Sequence, residues 1–219
     1  MILDGPFRAG DPVVVADLGR QLGVSRQPVM EALKRIEADG AIEILPQIGC
    51  RIRTPEADEV KDFFQMFAAM EAEISAFAAA RHSPAQAASF TAILADLFGA
   101  LDRPNPPSSA NPGDRQLNRA FHGAIHEMAC APGIARLSSA LWDRSDFYVR
   151  TAFGTFRISP RVREAYRTIA EAIIKRDADL ARIVTREHLI ASGSRAAARL
   201  RANLSSGSKT DQTGDQSGL

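Results

Sequence analysis

Between residues 57 and 204, apolar side chains recur at intervals of three and four in a background rich in Ala and Leu, the period of amphipathic helices that pack on one another. Proline, glycine and short polar runs cut this stretch into six predicted helices, at about 57–81, 84–101, 115–130, 134–153, 160–176 and 178–204. The Pro-rich segment DRPNPPSSANPGD between the second and third can only be a loop. Most connections are short, so an antiparallel bundle of about six helices is the expected arrangement. Before residue 55 the pattern differs, with short helical signals mixed with β-branched residues. After 204, SSGSKTDQTGDQSGL offers almost nothing to bury and reads as a disordered tail. The predicted fold is therefore mainly α, with regions 1–54, 55–204 and 205–219.

The stretch LGVSRQPVMEALKRIEADG, residues 22–40, carries the most specific local signal. Residues 14–21 read as a short helix, and Leu22-Gly23-Val24 as a tight turn whose Gly permits a left-handed backbone. Ser25 then suits an N-cap, and Pro28 falls in the first turn, where a missing N–H costs little. Along the helix that follows, Val29, Leu33 and Ile36 form the buried stripe, while Arg26, Gln27, Met30, Lys34 and Arg35 point elsewhere. Two short helices around a three-residue turn make a helix-turn-helix, which seats its second helix in a DNA major groove. Arg26 there has the reach for guanine, and Gln27 for adenine or a phosphate. AIEIL, a turn through Gly49, and CRIR continue as strand, turn, strand, with Arg51 and Arg53 on one face of a wing suited to the DNA backbone.

The ordered run LGVSRQPVMEALKRIEADGAIEILPQIGCRIR resembles the winged helix-turn-helix of GntR-type bacterial regulators, and the Ala-rich remainder resembles the helical effector domain of their FadR/VanR branch (FCD-type). The resemblance implies a homodimer on an inverted-repeat operator and a small metabolite that alters DNA affinity, with Ser25, Arg26, Gln27, Met30, Lys34, Gly49 and Arg51 as candidate DNA contacts. Met30 departs from the family pattern, which carries Arg there.

In the bundle, Asn118, His122 and His126 stand at i, i+4 and i+8 of one helix, and two histidines a turn apart suit a divalent metal. No glutamate lies between them as in HExxH, so hydrolysis is not indicated. Effector domains of the resembled branch often bind metal through an Asp-x3-His, a later His and a final His. By position these are Asn118, His122, Tyr166 and His188, so the expected site is degenerate: at most His122 and His188 would hold Zn or Ni. Phe67, four residues before Glu71, stands where the family carries a carboxylate-binding Arg. The expected effector pocket thus contains Phe67, Asn118, His122, Tyr166 and His188, and two readings of Phe67 stand side by side: either it marks a pocket suited to a ligand less acidic than a typical small carboxylate or one that has lost effector response, or it simply packs in the bundle. His82 and His126 read as surface or interface residues.

A formal net charge of +1 supplies no chain-wide field for nucleic acid, so DNA binding must come from a local cluster. No run approaches the roughly 18 apolar residues of a membrane span, and no signal-peptide pattern opens the chain, so a cytoplasmic protein is expected. Cys50 and Cys130 form no CxxC pair and are expected as free thiols. The expected function is transcriptional regulation, repression being the anticipated sense, rather than enzymatic activity. Two alternatives are a metal-dependent all-α enzyme using His122 and His188, and an effector-binding protein that has lost DNA binding.

Overall fold

The computed structural model describes residues 8–45, 49–102 and 112–210, which form two compact units divided after Glu56. In the first unit the order is β1 (Pro12–Val13), α1 (Val15–Leu22), α2 (Arg26–Ala38), β2 (Ile42–Leu45) and β3 (Gly49–Ile52). Helix α1 stops at Gly23, whose φ of 66° lets Val24 N–H reach back to the Gly19 carbonyl at 3.0 Å. A Cβ on Gly19 would stand 3.0 Å from the Val24 oxygen, so the tight turn depends on two glycines. Val29 and Leu33 of α2 are buried with Leu18 of α1, and Ile36 is half-buried.

The hairpin expected from the sequence is part of a three-stranded antiparallel sheet in the order β1-β3-β2. Strand β1 pairs Val13 with Cys50 on the free side of β3. Sequence periodicity missed it because two residues carry no period, and Pro12 argues against a strand except at an edge, which is where it lies. On β3, Cys50 and Ile52 are buried while Gly49 and Arg51 are exposed. Arg53 falls beyond the strand and is half-buried. The wing tip, 46–48, lies outside the described residues.

The second unit contains α3 (Ala57–Arg81), α4 (Pro84–Leu101), α5 (Pro112–Met128), α6 (Pro132–Phe153), α7 (Pro160–Ile174) and α8 (Ala178–Thr210). Helices α4, α5, α6 and α7 each open on proline, which brings the right φ and loses no hydrogen bond in the first turn. That is why α5 and α6 begin two or three residues before their predicted starts. Helix α8 continues to Thr210, past the expected stop near 204, and the Ser205 hydroxyl donates to the Arg201 carbonyl within it; residues 211–219 of the expected tail lie outside the described residues.

Helices α3 and α8 pack along each other as the spine of the unit. At their crossing a Cβ on Gly193 would come within 2.3 Å of Phe64 Cβ. An apolar core around Phe90, Phe121, Ile125, Ile169 and Ile173 joins α3, α4, α5, α7 and α8. No described helix is long and apolar enough to cross a membrane.

Candidate functional site

In the first unit, α2 offers its start to solvent. Ser25 occupies the N-cap with extended backbone (ψ 170°), yet its hydroxyl accepts no capping hydrogen bond. The reason is local: a capping oxygen usually takes the N–H two or three residues on, and the third is Pro28, which has none. Arg26, Gln27 and Lys34 are exposed and engage in no hydrogen bond or ion pair among the described residues. Met30 is half-buried. On the wing, Gly49 has a φ of 137°, a conformation that favours glycine. Arg51 is exposed but paired with Glu43 at 2.8 Å across the strands, which offsets its charge. Glu37, which the sequence reading passed over, accepts the Ile44 N–H at 2.8 Å and so ties α2 to the wing.

The second unit holds a cavity of about 450 Å³ between α3, α5, α6, α7, α8 and the α6–α7 connection. Its walls are largely apolar, from Phe64, Trp142, Val149, Phe156, Val162 and Leu189. Asn118, Tyr166 and His188 are among its lining residues. His122 lies behind them, tilted against Trp142 with ring centroids 4.1 Å apart, and faces a separate hollow beside Arg115 and Arg119. Phe67 does not line the cavity. It is buried in an aromatic cluster, edge-on to Trp142 at 4.9 Å and stacked on Phe63. Its place in the pocket is therefore corrected, and with it the argument that its ring makes the effector less acidic: the cavity wall instead includes Arg157 and Arg195.

The polar floor is tightly organised. Tyr166, buried, donates its hydroxyl to Asn118 Oδ1. Burial, then the charges of Asp146 and Asp114, raise the Tyr166 pKa, so the phenol keeps its proton and fixes which way the Asn118 amide faces. Asn118 Nδ2, His122 Nε2 and Trp142 Nε1 are buried without a hydrogen-bond partner. Burial pushes His188 down to about 4, with help from Arg195, and burial, then His188, His126 and Arg119, push His122 well below its ordinary value. Both imidazoles are neutral at pH 7.

This donor set does not fit a divalent metal. Two imidazoles lie nearly parallel with centroids 6.4 Å apart, the Asn118 oxygen is engaged by Tyr166, and the phenol is protonated. Among the described residues no group of three or more His, Cys, Asp or Glu converges on a point.

The two other histidines are structural rather than superficial. His126 Nε2 lies 2.9 Å from Glu71, a buried carboxylate that also accepts the Ser138 hydroxyl, and the buried His82 Nε2 lies 3.1 Å from the Ile173 carbonyl. Buried Asp146 is held by Arg119 at 2.7 Å, which also passes over the Trp142 ring. Sequence reasoning missed Trp142, Ser192 and Arg195. The last two were legible, since His188, Ser192 and Arg195 stand at i, i+4 and i+7 on one helix face.

Comparison with known proteins agrees with both halves. The FCD domain family model matches residues 62–191, and the model for bacterial regulatory proteins of the gntR family matches residues 1–52. The chain is 30% identical, over 57% of its length and 71% of the relative's, to an uncharacterised HTH-type transcriptional regulator in the TAR-I ttuE-ttuC' intergenic region of Agrobacterium vitis. It is 24% identical, over 87% of its length and 78% of the relative's, to the uncharacterised HTH-type transcriptional regulator BphR of Paraburkholderia xenovorans. Among solved structures, E. coli McbR/YncC superposes with a TM-score of 0.67 at 21% identity over 86% of this chain and 87% of that one. A GntR transcriptional regulator from Rhodococcus sp. RHA1 gives 0.68 at 18% identity over 89% and 91%. The helix-turn-helix with its exposed second helix, the helical domain with its cavity and these matches converge: the chain belongs to the gntR family of bacterial regulatory proteins, in its FCD-bearing branch, and is a DNA-binding transcriptional regulator modulated by a small-molecule effector.

Proposed function

We propose that the protein acts as a homodimer on an inverted-repeat operator, reading bases with Arg26 and Gln27, gripping phosphates with Ser25, Lys34 and the wing, and releasing or tightening its hold when a small molecule fills the helical cavity without a metal. The observation that carries the DNA half is the start of α2, where an arginine, an amide and an uncapped hydroxyl stand exposed without intramolecular partners. Arg51 contributes less, because Glu43 competes with phosphate for its guanidinium. Gly49 serves the turn of the wing rather than a contact. The half-buried Met30 adds at most apolar contact with a thymine methyl.

The effector half rests on the cavity: a mostly apolar enclosure with a few unpartnered polar atoms is what a small-molecule site looks like. Only a ligand with different affinity for the DNA-binding and released states shifts the balance between them. Titrating fluorescently labelled DNA from the protein's own promoter with wild type and Arg26→Ala tests the DNA half. The variant is expected to bind about 10- to 100-fold more weakly, the equivalent of a lost base contact of roughly 1–3 kcal/mol. Equal binding of both to promoter and to unrelated DNA would refute it.

A further inference from the structure

The cavity is chemically lopsided, and the asymmetry indicates what lies in it. At its floor stand donors with no charge. Asn118 Nδ2 and Trp142 Nε1 are both buried, both without partners among the described residues, and both belong to residues that line the cavity. The hydroxyl of Asn118's neighbour Tyr166 is already spent on the amide oxygen, so the amide N–H group is the part left over. A buried donor without an acceptor costs free energy, and an oxygen brought in by a ligand removes that cost. Around the floor no cation among the described residues is free: His122 and His188 are neutral, and Arg119, which passes over the Trp142 ring, is held by Asp143 and Asp146.

The cations are elsewhere on the wall. Arg195, on α8 two turns beyond His188, is half-buried and donates to Ser192 Oγ at 3.0 Å; no carboxylate pairs with it among the described residues. Arg157, in the α6–α7 connection, lines the same cavity, is exposed and is likewise unpaired among the described residues. Burial, and then the nearby charge of Arg161, disfavour the Arg195 charge. Arg119 of the same unit, by contrast, is neutralised by Asp143 and Asp146. Arginines gathered without counter-charge on the wall of a mostly apolar cavity are poised for an anion. The rest of the lining includes Phe64, Val149, Phe156, Val162 and Leu189, which suit an apolar body.

We infer that the cavity binds a bipolar organic monoanion in one orientation: its charged group on Arg195, with Arg157 at the rim, an apolar body along the aromatic wall, and an uncharged oxygen, hydroxyl or carbonyl, inserted between Asn118 Nδ2 and Trp142 Nε1. This rests on the cavity being the effector site. Arg195, Asn118 and Trp142, rather than the histidines, then set specificity. A second charge on the ligand is rejected, since it would be buried at a floor that offers dipoles but no free cation, Arg119 being held by Asp143 and Asp146.

The test uses the full-length protein and a series of ω-hydroxy acids of six, eight and ten carbons, each with its unsubstituted acid, its matched ω-hydroxy amide and its α,ω-diacid, read by calorimetric titration. At least one ω-hydroxy acid is expected to bind, with its amide and its diacid weaker by tenfold or more. In Arg195→Gln the acid is expected to fall to the level of the amide. In Asn118→Leu and Trp142→Phe it is expected to keep its preference over the amide but lose its advantage over the unsubstituted acid. Circular dichroism melting of each variant checks that it folds. An amide that binds as well as its acid, a diacid that binds better, an unchanged Arg195→Gln, or no binding anywhere in the series overturns the inference. Promoter-DNA affinity measured with the same ligands separates the two claims: binding with the predicted selectivity but no change in DNA affinity leaves the inference standing and removes the effector role.

Discussion

At the scale of single residues, Asn118 and Tyr166 satisfy each other at the cavity floor, which leaves neither oxygen free for a metal, so the protein is expected to gain no thermal stability from Zn2+ or Ni2+. The double variant Asn118→Asp, Tyr166→His is expected to gain it, as differential scanning fluorimetry with and without chelator would report. The neutral histidines also leave a pH signature. His188 titrates near 4 when folded and near 6.5 when unfolded, so between those values the unfolded chain holds more protons, and stability falls as pH drops through that window. By pH 5 the loss from His188 alone is about 2 kcal/mol relative to neutral pH, and His122 adds to it in the same direction. Chemical denaturation at pH 7.5 and pH 5 should show it, and His188→Gln should flatten it.

At the scale of elements, two close contacts carry most of the consequence. Helices α3 and α8 meet where Gly193 leaves no room for a side chain, because the nearest atom is the Phe64 Cβ, which cannot swing aside. Gly193→Ala is expected to lower stability by about 2–3 kcal/mol through overpacking, measured by denaturant unfolding, and to weaken ligand binding as Phe64 is displaced from the cavity wall. In the first unit the wing is held to α2 by the Glu37 side chain on the Ile44 amide. Glu37→Ala is expected to cost about 1 kcal/mol of stability. Its effect on DNA should be a smaller salt dependence with base preference kept, since the wing meets the backbone and α2 meets the bases. A selection experiment on randomised operators at two salt concentrations distinguishes these effects.

At the scale of the whole molecule, the proposed regulation sets two reading heads on one operator, with one message between them. A dimer of 23.7 kDa chains is expected in solution, which light scattering on the eluting protein would check. Two heads in fixed relation demand half-sites on one face of the duplex, about one turn apart. Inserting about 5 bp between the operator arms should therefore abolish tight binding, and inserting a full turn of about 10 bp should restore part of it. Independent heads would tolerate both insertions equally.

The sequence by itself determined the elements and the kind of protein. Six bundle helices followed from apolar period and proline punctuation, and the helix-turn-helix from Gly23, Ser25 and the Val29-Leu33 stripe, because those signals act between residues a few positions apart. It also pointed to Asn118, Tyr166 and His188, which do meet at the cavity, by way of family resemblance rather than spacing. Only the tertiary structure decided which atoms face the empty space. That Phe67 packs behind Trp142, that Glu71 satisfies His126, that Pro12 joins a sheet edge, and that Arg195 stands without a carboxylate all depend on partners distant along the chain. Burial and hydrogen-bond satisfaction are properties of neighbours in space, and no local pattern specifies them.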